Sequence, residues 1–61
     1  MPNITVELVS GRTLDQRREF AAAVTEAAAA ILKADREKVR ILFLEIEKSD
    51  VANGGVLECD K

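Results

Sequence analysis

The chain has 61 residues, 48% of them apolar and 33% charged, and nine Lys and Arg against eleven Asp and Glu give a net charge of −2. One cysteine and no histidine exclude an internal disulfide and argue against a structural zinc site. The balanced charge and the absence of Trp and Tyr argue against a nucleic-acid partner, and no apolar run is long enough to span a membrane.

The small size of the chain favours self-association. A domain this small buries only about 60% of the surface that its unfolded chain exposes, so its own core is marginal. With disulfides and metals set aside, a partner chain is the remaining source of stability. We therefore expect residues 1–61 to form a single domain whose copies share their cores. The lone thiol of Cys59 and the absence of a signal-peptide pattern favour a cytoplasmic location.

The first predicted element is a strand from Pro2 to Val9. Apolar and polar residues alternate along it, which is the period of a half-buried strand. Ser10 and Gly11 interrupt this pattern. Thr13 is the predicted N-cap of a helix, because Gln16 three residues later completes a capping box.

A long helix is predicted from Leu14 to about Lys33. Its alanines favour the helical state and keep the surface of the helix low in bulk. Six apolar residues fall on one helical stripe, and Phe20 among them is expected to pack between helix and sheet: Phe20, Val24, Ala27, Ala28, Ile31 and Leu32. The cations expected to lie on a solvated face are Arg17, Arg18 and Arg36. A short polar turn follows, with Asp35 as its predicted cap.

The second predicted strand runs from Val39 to Glu47, and both of its faces are largely apolar, as in a strand buried on both sides. Residues 49–53 form a connection. Gly54 and Gly55 then favour a tight hairpin turn before Val56 and Leu57.

Strand, crossover helix and strand make a βαβ unit, so the two strands are expected to be parallel. The predicted fold is α+β: a βαβ subunit with a short C-terminal hairpin. The helix covers one face of the sheet, and the other apolar face has no cover within the chain. We therefore expect dimerisation into a four-stranded sheet and packing of such sheets on one another.

Few residues of this chain have the chemistry of common catalysts. Without histidine there is no imidazole base, and the three glycines match no nucleotide-binding motif. Removal of Met1 would leave Pro2 as a terminal secondary amine. An apolar pocket beside arginine cations lowers the pKa of such an amine towards working pH, where a general base is most effective. The alternative is that Pro2 simply begins a strand.

Two arginines strengthen the catalytic interpretation. Arg40 lies on an otherwise apolar strand face, and Arg12 follows the break at Gly11, at the entrance to the helix. A guanidinium group matches the geometry of a carboxylate, so the two could hold an oxo-acid. An intersubunit salt bridge of Arg40 with Glu45 or Glu47 is the structural alternative.

Together these features resemble the 4-oxalocrotonate tautomerase family. The residues that carry the resemblance are Pro2 at the start of a strand, Gly11-Arg12 at its end, Val39-Arg40 at the start of the second strand, and Gly54-Gly55 in the tail. The match extends along nearly the whole chain without a gap between Pro2 and Gly55.

The resemblance implies an isomerase that moves a proton in an unsaturated 2-hydroxy or 2-oxo (di)carboxylic acid, without cofactor or metal. It implies Pro2 as the general base. It also implies Arg12 and Arg40 as ligands of the carboxylate and carbonyl groups, with Arg40 supplied by another subunit, and Val9 and Val51 as further substrate contacts. The implied assembly is a homohexamer, a trimer of dimers, and the implied setting is aromatic hydrocarbon catabolism.

The chain departs from the family pattern at two positions. Val51 stands where well-known members carry an aromatic side chain, and Lys38 adds positive charge near Arg40. Relatives that add water to haloacrylates use an acidic residue in this region, and Asp50 is nearby without a clear match. Two alternatives therefore stay open: a hydratase or dehalogenase acting on haloacrylates, and an oligomeric binding module without catalysis.

Overall fold

A computed structural model describes all of residues 1–61 and contains the expected strand, helix and strand. The regular elements are β1 (Asn3–Val9), α1 (Leu14–Ile31), β2 (Arg40–Ile46), β3 (Ala52–Asn53) and β4 (Val56–Leu57). Single 3-10 turns occupy Arg36–Lys38, Lys48–Asp50 and Glu58–Asp60. β1 and β2 are parallel, and β3 and β4 form an antiparallel hairpin. The predicted α+β fold is confirmed.

Side-chain caps define the starts of α1 and of the Arg36–Lys38 turn, as the sequence predicts. The backbone N–H of Gln16 donates to the Thr13 hydroxyl oxygen over 3.1 Å, and the Thr13 N–H donates to the Gln16 side-chain oxygen over 2.9 Å. The Asp35 carboxylate accepts from the N–H of Glu37 at 3.1 Å. The helix ends at Ile31, about two residues before the predicted Lys33, which has a φ of 59°.

The two faces of the β1–β2 sheet have different environments. On one face, α1 packs through Phe20, whose ring lies edge-on to Phe43 of β2 with centroids 6.1 Å apart. On the other face, Leu42 and Leu44 of β2 keep 40% and 43% of their surface exposed. One sheet face thus has no cover within the chain, as the sequence predicts.

The isolated chain has almost no interior. Ala28, 5% exposed, is its one buried residue. The radius of gyration is 14.6 Å and the extents are 41 × 25 × 14 Å, whereas a compact domain of this length has a radius of about 10.5 Å. The accessible surface is 4719 Å², about 800 Å² more than the roughly 3,900 Å² typical of a monomeric protein of this mass. The chain therefore exposes more surface than a monomeric protein of its mass, as expected for one subunit of an assembly.

The C-terminal hairpin turns at two glycines with positive φ. Gly54 and Gly55 have φ values of 61° and 84°, as the central residues of a type I′ turn require. Val56 beyond this turn is 45% exposed and Leu57 is 38% exposed. The hairpin is therefore a second apolar surface without cover. Elsewhere, no helix has the length and apolar character needed to cross a membrane.

Candidate active site

Pro2 and Arg40 lie together at one end of the sheet. The backbone N–H of Arg40 donates to the carbonyl oxygen of Pro2 over 3.0 Å, which fixes the start of β1 to the start of β2. Pro2 is half-buried and Arg40 is exposed. The register aligns Asn3 with Arg40 and Ile4 with Ile41. Since side chains alternate along a strand, Pro2 falls on the helix-covered face and Arg40 on the open face.

Val9 and Arg12 lie at the other end of the sheet. Val9 is the last residue of β1, opposite Ile46, and is 41% exposed. The N–H of Ser10 donates to the carbonyl oxygen of Ile46 over 2.9 Å, so the break after β1 is held against the end of β2. Arg12 follows in this segment and is exposed.

The length of β1 separates the candidate residues. Its seven residues span about 20 Å at roughly 3.3 Å per residue, so Pro2 and Arg12 of one chain lie too far apart to touch one small molecule. A site that contains both residues needs a second chain. Val51 lies five residues beyond the end of β2, half-buried, and its carbonyl oxygen accepts from the N–H of Glu58 at 2.8 Å.

Three of the five arginines are paired with carboxylates within the chain. Arg17 contacts Glu45 at 3.2 Å, Arg18 contacts Asp15 at 2.8 Å, and Arg36 forms a two-bond fork on Glu26 at 2.6 and 2.7 Å. The last pair raises the pKa of Arg36 and lowers that of Glu26, in both cases chiefly through the hydrogen bonds between them. The two arginines without a carboxylate partner are the predicted ligands Arg12 and Arg40.

The prediction of a solvated Arg17 is wrong. Its guanidinium reaches from α1 to Glu45 on the helix-covered face of β2, the side chain is 32% exposed, and its Nε atom is buried without a hydrogen-bond partner. The position of Arg17 in the sequence contains a signal that its side chain points towards the sheet. Arg17 precedes Val24 by seven residues, about two turns, so both lie on the same side of α1.

A small recess opens beside Arg12, between the start of α1 and the sheet. We call it the aromatic recess; its volume is about 210 Å³. Its lining residues are Leu8, Arg12, Gln16, Arg17, Phe20 and Phe43. Half of them are apolar, and two carry a positive charge. Sequence reasoning identified Arg12 but not the recess, which exists only once α1 is placed across the sheet.

The two carboxylates at the end of β2, Glu45 and Glu47, are occupied by an ion pair or a hydrogen bond within the chain. Glu45 contacts Arg17, and Glu47 accepts a hydrogen bond from the Ser10 hydroxyl at 2.8 Å. Both interactions are structural, and they leave neither carboxylate as an evident acid–base group. No group of three or more His, Cys, Asp or Glu side chains is arranged to hold a metal ion.

Comparison of the sequence and comparison of the structure with known proteins both identify the same family. The profile of the family described as "Tautomerase enzyme" matches residues 2–58. A protein named "Probable tautomerase" from Listeria monocytogenes is 38% identical over 60 residues, which cover 98% of each chain.

Solved structures agree closely with the fold. The crystal structure of YwhB, a homologue of 4-oxalocrotonate tautomerase, superposes with a TM-score of 0.91 at 33% identity and covers 98% of both chains. A heterohexamer 4-oxalocrotonate tautomerase from Chloroflexus aurantiacus matches with a TM-score of 0.86 at 27% identity, over 98% of this chain and 97% of that one.

Proposed function

The chain belongs to the tautomerase family, and from that premise we propose that it moves a proton within an unsaturated 2-hydroxy or 2-oxo (di)carboxylic acid, with no cofactor. The single observation that carries the substrate class is which of the arginines have a carboxylate partner. Arg12 and Arg40 have no carboxylate partner within the chain, whereas the other three arginines do. Unpaired guanidinium groups are suited to bind the carboxylate and the carbonyl oxygen of an oxo-acid.

Pro2 is the proposed base. The nitrogen of Pro2 is a tertiary amide while Met1 is attached and becomes a secondary amine when Met1 is removed. That amine takes a proton from the enol hydroxyl, or from the carbon next to the carbonyl, and returns it farther along the conjugated system. Negative charge develops on the substrate oxygen during the transfer, and an arginine cation stabilises it. The amine gives the proton back to the same substrate, and the electron pairs shift only within that substrate, so the reaction is an isomerisation.

The site is proposed to form between subunits. The β1 strand pairs only with β2, which leaves its second edge free. Antiparallel pairing of two β1 edges would place Pro2 of one chain next to Val9 and Arg12 of the other, and would give the expected four-stranded sheet. Arg40 lies on the opposite sheet face from Pro2, which supports its contribution to a site of another chain.

The proposal includes a homohexamer built as a trimer of dimers, with residues 1–61 as one domain. The excess accessible surface of the isolated chain, its open sheet face and its uncovered hairpin support assembly beyond a single chain. Val51 is proposed to contact substrate at a neighbouring site, where its small side chain leaves more room than an aromatic one. The cytoplasm and the breakdown of aromatic hydrocarbons are the proposed setting, with the free thiol of Cys59 as the supporting feature for the first.

Kinetics of matched variants test these roles. With Met1 removed from each protein, we expect Pro2→Ala to abolish ketonisation of 2-hydroxymuconate, because the terminal secondary amine is lost. Arg12→Ala and Arg40→Ala should raise KM by about tenfold to a hundredfold, the loss of one charge-assisted contact of about 1.5–3 kcal/mol. Arg18→Ala is the control, since Arg18 is exposed, already pairs with Asp15 and is not one of the proposed substrate ligands. Full activity of Pro2→Ala would refute the assignment.

The same proteins distinguish the two alternatives. Halide release from a 3-haloacrylate, together with a lack of ketonisation, would favour the hydratase or dehalogenase. Binding of a dicarboxylate that needs Arg12 and Arg40 but gives no turnover in either assay would favour a binding module without catalysis.

A further inference from the structure

A hydrogen bond between Ser10 and Glu47 joins the segment that follows β1 to the segment that follows β2. The Ser10 hydroxyl donates to the Glu47 carboxylate over 2.8 Å, and the Ser10 N–H donates to the carbonyl oxygen of Ile46 over 2.9 Å. Ser10 and Glu47 are 37 positions apart in the sequence, whereas every other side-chain hydrogen bond joins residues 10 or fewer positions apart. The Ser10–Glu47 bond is therefore a tertiary link and not a local cap.

Arg12 lies between two anchored points of the chain. Ser10 on one side is held at the end of β2 by its backbone and its hydroxyl. On the other side, the Thr13 N–H donates to the Gln16 side-chain oxygen over 2.9 Å, which fixes Thr13 to the start of α1. Only Gly11 separates Ser10 from Arg12, and its φ of 122° is a conformation that other residues rarely adopt. The direction in which the Arg12 side chain leaves the backbone therefore depends on the anchoring of Ser10.

Glu47 also fixes the segment that leads to Val51. The Glu47 N–H donates to the Asp50 carboxylate over 3.1 Å, and the Asp50 N–H donates to the Glu47 carbonyl oxygen over 2.8 Å. These two bonds close the Lys48–Asp50 turn, and Val51 is the next residue. Through its side chain and its backbone, Glu47 thus connects Arg12 with Val51, and both of these residues are proposed substrate contacts.

We infer that Glu47 is a positioning residue for the substrate pocket, which holds the Arg12 segment in place through its hydrogen bond with Ser10. Arg12 has no carboxylate partner within the chain, so the Glu47 carboxylate orients this segment without neutralising the guanidinium. A ligand that is held in advance loses less conformational freedom when substrate binds, which strengthens binding. This inference rests on the proposed function in that Arg12 is a substrate ligand in both.

Steady-state kinetics with 2-hydroxymuconate test this role, with Met1 removed from each protein. Ser10→Ala and Glu47→Ala should each raise KM about threefold to tenfold, the contribution of one hydrogen bond. The kcat should change by less than about twofold, because the Pro2 base is untouched. Ser10→Thr keeps the hydroxyl and should restore the KM. Arg18→Gln is the control, since it removes an exposed hydrogen bond of the same length, 2.8 Å, within α1. Ser10→Ala decides the result if Glu47→Ala fails to fold in urea titrations.

A double-variant comparison shows whether Glu47 acts through Arg12. In an Arg12→Ala protein, Ser10→Ala should cause no further rise in KM, because the side chain that Ser10 positions is absent. A general structural effect of Ser10→Ala would raise KM equally with and without Arg12. Binding of muconate, which lacks the 2-hydroxyl group and is not turned over, should show the same pattern in Kd.

The outcomes separate this inference from the proposed reaction. An unchanged KM and Kd in Ser10→Ala, or an equal rise with and without Arg12, would overturn the inference alone. A lower KM in Glu47→Ala would also overturn it, because Glu47 would then compete with the substrate for Arg12. Unchanged muconate binding by Arg12→Ala would refute Arg12 as the ligand, and the inference with it. The expected pattern of muconate binding in a protein that does not isomerise 2-hydroxymuconate would retain the role of Glu47 and refute the proposed reaction.

Discussion

Replacement of Leu44 by lysine should weaken assembly far more than it disturbs the packing within one chain. Leu44 lies in the middle of β2 on the sheet face that α1 does not cover, and it is 43% exposed in the isolated chain. A surface substitution changes the stability of a chain by about 0.5 kcal/mol or less. In an assembly that buries this face, the same substitution places an ammonium group in an apolar interface.

The size of the effect of Leu44→Lys on assembly follows from the exposed fraction of Leu44. Complete burial of a leucine side chain contributes about 1.5–3 kcal/mol, so burial of the remaining 43% of Leu44 contributes about 1 kcal/mol per copy. A buried unpaired ammonium costs several kcal/mol more. A total near 4 kcal/mol per copy corresponds to about a thousandfold loss in association constant, since each 1.4 kcal/mol is a factor of ten.

Analytical ultracentrifugation and thermal unfolding across a range of protein concentrations measure this effect. The wild-type protein should sediment as an assembly, and its Tm should rise with concentration because assembly stabilises the folded state by mass action. Leu44→Lys should sediment as a smaller species at the same concentrations. The control is Ala22→Lys, on the side of α1 opposite Val24. A monomeric wild-type protein with a concentration-independent Tm, or identical behaviour of both variants, would refute the reasoning.

Three further predictions concern the stability of the subunit. Thr13→Ala removes the N-cap oxygen and should lower the free energy of unfolding in urea by about 1 kcal/mol, whereas Thr13→Ser should not. Lys33→Gly should raise the free energy of unfolding by up to about 1 kcal/mol, because Lys33 has a φ of 59° and glycine adopts a positive φ without steric cost. A decrease in the free energy of unfolding would contradict this prediction. Glu26→Gln should lower the Tm at neutral pH, because Arg36 holds the pKa of Glu26 below its ordinary value. The stabilisation by ionised Glu26 is fully present above its ordinary pKa and is lost as the pH falls through its lowered pKa in the folded protein. A Tm difference between Glu26→Gln and the wild type that persists in acid would therefore contradict the ion pair as its cause.

Local patterns predict most of this fold. The capping box of Thr13 and Gln16, the alternation in β1 and the two glycines of the hairpin turn each act within a few residues. The end of α1 was harder to predict, because Leu32 and Lys33 are good helix formers. The helix nevertheless stops at Ile31, and Lys33, two residues later, adopts a positive φ.

The candidate site depends on contacts between distant parts of the chain. The orientation of Arg17 follows from helical spacing, but its partner Glu45 can be identified only when the position of α1 over β2 is known. The aromatic recess depends on the same placement. Pro2 and Arg12 were both identified as candidates from the sequence, and the length of β1 shows why one chain cannot bring them together.

The most direct test of the central claim compares two preparations that differ only in Met1. Intact mass spectrometry defines one preparation that lacks Met1 and one that retains it, and an ultraviolet assay then follows ketonisation of 2-hydroxymuconate by each. The account predicts turnover above the buffer rate only when Met1 is absent, because only then is the Pro2 nitrogen an amine. Equal turnover by the protein that retains Met1 would contradict Pro2 as the base.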